Sequence, residues 1–218
     1  MKLAKISTLI VLVTQLGACA VMSKSECLSA DWQGVGYDVG FDGRSDISKA
    51  FNARADACAK HGSRANWPEF KSGHADGIEQ FCQIDNALLL GIKGRNRARD
   101  DQTCPERIYP GFAKAFMDGY TLHELNNYVY DGEHELSQLE SLVYDYRHKR
   151  SKLKHQIKSG ELSDQDVHWA DNTRKQLRRD IIAIDSDIYV VRERLAQHIA
   201  HAQSYAEFLE LEYGNNLY

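Results

Sequence analysis

Five cysteines are the side chains best suited by type to do chemistry: Cys19, Cys27, Cys58, Cys82 and Cys104. A thiol can ligate a metal, attack a substrate, pair with another thiol or carry a lipid. Structural zinc sites usually draw two cysteines from one short loop, and no CxxC spacing occurs here. Nine histidines are the next candidates, seven of them beyond Tyr120. His198 and His201 are three apart and could share a metal on one helix face, but single histidines on a charged helix are ordinarily solvated. His123-Glu124 is followed by Leu125, Asn126 and Asn127, so no metalloprotease pattern forms. No Gly-x-Ser-x-Gly elbow is present, and carboxylates such as Asp38 or Asp76 have no evident catalytic partner. The expectation is no catalytic residue, no metal site and no cofactor.

The amino terminus gives one cysteine a separate task. Lys2 and Lys5 precede an apolar stretch that includes Leu9 to Val13 and Leu16, and Leu16-Gly17-Ala18-Cys19 follows. A basic start, a short apolar segment and small residues describe an export signal, well short of the roughly 20 residues of a spanning helix. The four residues ending at Cys19 resemble the lipobox of bacterial lipoproteins. That resemblance implies lipidation of the Cys19 thiol, cleavage before it and acylation, as with palmitate, of the new amino terminus. Ala20 in the second mature position implies the outer membrane by the same resemblance. Removing the two signal lysines leaves 27 − 2 = 25 cations against 31 acids, a net of −6. An acidic body argues against nucleic acid as a partner.

With Cys19 lipidated, Cys27, Cys58, Cys82 and Cys104 remain. An oxidising periplasm makes two disulfides the expected state, and four cysteines allow three pairings. The short sequential loops favour Cys27–Cys58 with Cys82–Cys104.

Those cysteines must sit on a turn-rich first half. Pro68, Pro105 and Pro110 are its only prolines, and 11 of the chain's 15 glycines lie between Cys19 and Gly119. Small residues recur four apart: Gly36/Gly40, Gly73/Gly77 and Ala115/Gly119, each with aromatics nearby. Residues four apart share a helix face, so close helix–helix packing is the plainer reading. The alternative is a ligand groove lined by Trp32, Tyr37, Phe70 and His74. Farther on, Lys93, Arg95, Arg97 and Arg99 place four cations within seven residues. This loop is either a solvated surface or a contact for an anion such as a lipid head group or a cell-wall carboxylate.

The second half has no proline or cysteine. Stepping by three and four from Leu122 meets Leu125, Val129, Gly132, Leu136, Leu139, Val143, Tyr146, Arg150, Leu153 and Ile157. From Val167 the same step meets Ala170, Arg174, Leu177, Ile181, Ile184, Ile188, Val191, Leu195, His198, Ala202, Tyr205 and Leu209. Such alternation predicts a coiled-coil seam. Gly160 suits a helix end and Ser163 an N-cap, so the two runs should fold back as an antiparallel hairpin. A turn centred near residues 160–161 places Gly132 opposite Tyr189, His198 beside His123 and Arg150 near Asp171, and cysteines at Leu139 and Ile182 should crosslink. The fold class is therefore all-α. A signal spans 1–18, a small disulfide-bonded helical domain spans 19–111, and an antiparallel coiled-coil hairpin spans 112–218.

The order Cys27-Leu28-Ser29-Ala30-Asp31-Trp32, Gly36-Tyr37, Gly40, Ala57-Cys58, His61-Gly62, Gly73, Asp76-Gly77, Phe81-Cys82 and Cys104-Pro105 resembles the bacterial lipoproteins grouped as domain of unknown function 2799. The resemblance covers about residues 19–160 and implies location and shape, with no activity. The expected function is a non-catalytic structural or protein-interaction role on the periplasmic face of the outer membrane. The membrane would be met through lipidated Cys19 and an envelope protein through the coiled coil. The alternative is a peptidoglycan or glycolipid binding module using the aromatic–glycine region and the arginine loop.

Overall fold

The structure is a computed structural model that describes residues 21–95 and 102–214. Residues 1–18, where a signal is expected, and Cys19, Arg97 and Arg99 lie outside the described residues. The described residues form seven helices: α1 (Lys24–Leu28), α2 (Trp32–Phe41), α3 (Ile47–Ala59), α4 (Trp67–Phe81), α5 (Ile84–Ile92), α6 (Phe112–Ser159) and α7 (Asp164–Tyr213). The all-α expectation holds, with no strand among the described residues.

Helix starts follow local side-chain chemistry. A capping box opens α1: the Ser23 hydroxyl accepts from the Glu26 N–H, and the Ser23 N–H donates to Glu26. Asp31 and Asp46 cap α2 and α3 by accepting the N–H groups of Gln33 and Lys49. Pro68 lies in the first turn of α4, where no intrahelical N–H partner is needed. Gly160 closes α6 at φ 70°, a left-handed conformation that glycine adopts without a β-carbon clash. Ser163 then caps α7 by accepting the Asp166 N–H, with Asp164 and Asp166 at the positive end of the helix dipole.

The contacts divide the chain between Phe81 and Cys82 into two compact units. The composition break at 111/112 instead marks the start of the long helix α6. The contact division falls earlier because α5 packs on α6.

In the first unit α2 packs along α4. Its core holds Met22, Cys27, Trp32, Val39, Cys58 and Phe70, with Phe51 packed against them. In the second unit α5 lies on the start of α6, and α7 returns along α6 as the predicted hairpin. The arms have 48 and 50 residues, each about 70–75 Å at 1.5 Å per residue.

Candidate functional site

The small-residue pairs are helix crossings. A β-carbon on Gly36 or Gly40 of α2 would overlap the Phe70 or His74 carbonyl oxygen of α4. One on Gly73 or Gly77 would overlap the Gln33 or Tyr37 carbonyl in return. The second unit repeats the arrangement. Gly91 of α5 meets the Phe116 carbonyl, and Gly119 of α6 meets the Leu88 carbonyl. Buried Ala87 and Ala115 stand one turn before those glycines. Sequence reasoning found Ala115/Gly119 but not its partner Ala87/Gly91. The four-residue spacing that would have identified it is hidden in an otherwise ordinary apolar run.

The four aromatic-region candidates divide between core and surface. Trp32 and Phe70 are buried and do not line an open groove. They pack with Phe51 and Trp67 at centroid distances of 4.9–6.5 Å, in tilted, edge-on and stacked pairs. The physical reason is the glycine crossing: the backbones meet closely, and the aromatics fill the space beside them with the rest of the core. Buried His74 has Nε2 2.7 Å from the Arg44 carbonyl, which ties α4 to the segment after α2. Tyr37 is half-exposed and stacks on Phe41. Arg95, three residues past the end of α5, is exposed.

Cys27 bonds Cys58 with Cα atoms 5.1 Å apart, and Cys82 bonds Cys104 with Cα atoms 5.6 Å apart. The first bond joins α1 to α3. The second lies within the second unit and pins Cys104, in the loop before α6, to Cys82, two residues before α5. Around them the Ser63 hydroxyl donates to the Cys27 carbonyl. Among the described residues no cluster of three or more histidine, cysteine or carboxylate side chains could hold a metal.

Every hairpin seam position named from sequence is buried or half-buried. The register differs from the expectation. Gly132 faces Leu195, whose Cβ is 3.7 Å from the site of a glycine β-carbon, and not Tyr189, six residues earlier. His198 stacks on Tyr128 rather than on His123. Asp171 pairs with Arg174 and Lys175 of its own helix rather than with Arg150. Ile182 is 60% exposed, so it cannot crosslink with Leu139 through the seam. Two effects cause the offset. The turn runs from Ser159 to Asp164, so its centre lies beyond 160–161. Helical side chains also lean toward their own amino terminus, so contacting residues carry higher numbers than residues at equal height.

The open end of the hairpin is clamped. Lys114 Nζ donates to Asp118 (2.9 Å), Glu212 (3.1 Å) and the Tyr213 hydroxyl (3.1 Å), and that hydroxyl donates to Asp118 (2.6 Å). Bonding to Asp118, then to Tyr213 and Glu212, holds the Lys114 ammonium well above its ordinary range. Burial, then the bond to Asp118, raises the Tyr213 hydroxyl. Arg147–Asp185, Arg192–Glu140 and Arg194–Glu135 bridge the arms farther along. All six side chains are about half exposed, so each pair contributes at most about 1 kcal/mol.

These features define an all-helical, disulfide-bonded protein in which two glycine-mediated crossings lead into an antiparallel coiled-coil hairpin. Residues 31–121 match the family model described as Protein of unknown function (DUF2799), and that segment belongs to this family. The match runs from the N-cap of α2 to just past Gly119, so it contains both crossings and stops where the hairpin continues alone. No curated protein and no solved structure matches the chain.

Proposed function

We propose that the chain is a lipoprotein held to the bacterial outer membrane through Cys19, with its helical body in the periplasm and a non-catalytic, protein-interaction role. One observation carries the interaction role. The hairpin seam already consumes one apolar stripe, yet Tyr130, Tyr144, Trp169, Tyr189 and Val190 stay exposed on the arms. Large aromatics left on a rigid surface suit protein contact. Two disulfides support an oxidising compartment. No helix among the described residues is long and apolar enough to cross a membrane. The reading therefore assigns anchoring to the lipid on Cys19.

Radiolabelled palmitate feeding tests the anchor. The expected result is a labelled chain in the outer-membrane fraction and loss of label in Cys19→Ala. Equal labelling of that variant, or recovery of the wild-type chain free in the periplasm, would reject it. In-cell photo-crosslinking from position 169, in place of Trp169, tests the interaction role and should yield discrete protein adducts. Adducts only to cell-wall glycan or lipid would favour the glycan- or glycolipid-binding alternative.

A further inference from the structure

The two arms of the hairpin carry the same short pattern in opposite directions. On α6 it is Glu140, Tyr144 and Arg147; on α7 it is Asp185, Tyr189 and Arg192. An acid, a tyrosine four residues on and an arginine three further share one helix face. Because the arms are antiparallel, the two copies are related by a local two-fold axis normal to the hairpin face. Arg192 lies 2.6 Å from Glu140 at one end, and Arg147 lies 3.2 Å from Asp185 at the other. Between these pairs Tyr144 and Tyr189 are 69% and 66% exposed. Buried Val143 and Ile188 form the floor, and all these side chains line one open depression.

The four charges occupy the corners of a rectangle, and their signs alternate around it. That alternation makes the face its own complement. A second copy turned by 180° about an axis lying in the face, along or across the helices, sets each carboxylate against a guanidinium and each tyrosine against a tyrosine. The next heptad positions continue the match. Ser137 and Ser151 share the face on α6, as Ile182 and Ala196 do on α7. Under either axis exposed Ile182 meets a small residue of the second copy, Ser151 or Ala196. Two acids against two bases leave no net charge to draw an anion or a cation.

We propose that this face binds a second copy of the chain and that the hairpins associate side by side through Tyr144 and Tyr189. The association requires neither the lipid anchor nor an envelope partner. Sedimentation of the full chain in detergent tests it. The wild-type chain is expected to pass from monomer to dimer with rising concentration. Joint Tyr144→Asp and Tyr189→Asp substitution raises the dissociation constant at least tenfold while circular dichroism keeps its helical signal. A photo-crosslinking side chain at position 189 should capture another copy of the chain. A chain monomeric at every concentration, a dimer unaffected by the two aspartates, or capture of only a different protein would overturn the proposal.

Discussion

Gly77 and Gly119 occupy the same position in two separate helix crossings. Gly77 lies against the Tyr37 carbonyl and the Phe41 N–H of α2; Gly119 lies against the Leu88 carbonyl and the Ile92 N–H of α5. Their partners Gly40 and Gly91 are equally matched: Gly40 meets the His74 carbonyl and the Ile78 N–H, and Gly91 meets the Phe116 carbonyl and the Tyr120 N–H. The family-matched segment thus contains one packing solution used twice.

Backbone cannot yield as a side chain can, and this sets the sign of glycine replacements. Gly77→Ala or Gly119→Ala should destabilise the protein by about 1–3 kcal/mol, because the β-carbon forces two backbones apart. Gly132→Ala should be neutral or stabilising. There the nearest atom is a Leu195 methyl end at 3.2 Å, and alanine gains about 1 kcal/mol of helix propensity. Urea unfolding of the three variants checks the contrast, and a loss at Gly132 equal to that at Gly77 would refute it.

The disulfides should contribute mainly through the unfolded chain. Their sequence separations are 31 and 22. Chain-entropy reasoning gives about 3–4 kcal/mol for each. Cys27→Ala with Cys58→Ala should lower the urea midpoint of the first unit, and Cys82→Ala with Cys104→Ala that of the second. An unchanged midpoint would show that helix packing alone suffices.

The hairpin register can be trapped covalently. Gly132→Cys with Leu195→Cys places two β-carbons about 3.7 Å apart, inside the disulfide range. This pair should oxidise within one chain, as read by mobility on a non-reducing gel. Leu139→Cys with Ile182→Cys should not, because Ile182 faces solvent. The reverse result would restore the register expected from sequence.

The Lys114–Tyr213 clamp should weaken in alkali. Both groups titrate above their ordinary values of 10.5 and 10.0 in the folded protein. A raised folded value means the stabilisation is fully present below the unfolded value and is lost as pH rises through the folded one. The melting temperature should therefore hold up to about pH 10 and fall above it, and fall less in Tyr213→Phe, where no hydroxyl can ionise. Parallel pH profiles for the two proteins would assign the alkaline loss elsewhere.

Much of the fold is legible in the residues because its causes are local. The three–four alternation from Leu122 and Val167 specifies two long helices with one wet and one dry face. Gly160 and Ser163 mark where one must end and the next begin, Gly160 through its left-handed backbone and Ser163 through its own hydroxyl. The small-residue pairs announce close helix contact for the same reason: only a missing β-carbon lets two backbones meet.

Relations between distant segments required the tertiary structure. For Trp32 and Phe70 the residues make packing the plainer reading and a groove the alternative, and only the α2–α4 crossing decides that they are buried. The partner of Ala115/Gly119 was invisible because Ala87/Gly91 differs in no local respect from any apolar helix. The register of α7 on α6 depended on turn length and side-chain lean together, which no single position reports. The matching patterns at Glu140 and Asp185 became one surface only when the antiparallel arms set them side by side. Sequence alone determined which residues prefer helix and which face each helix must hide; the three-dimensional packing decided what each face meets, because such contacts join residues far apart along the chain.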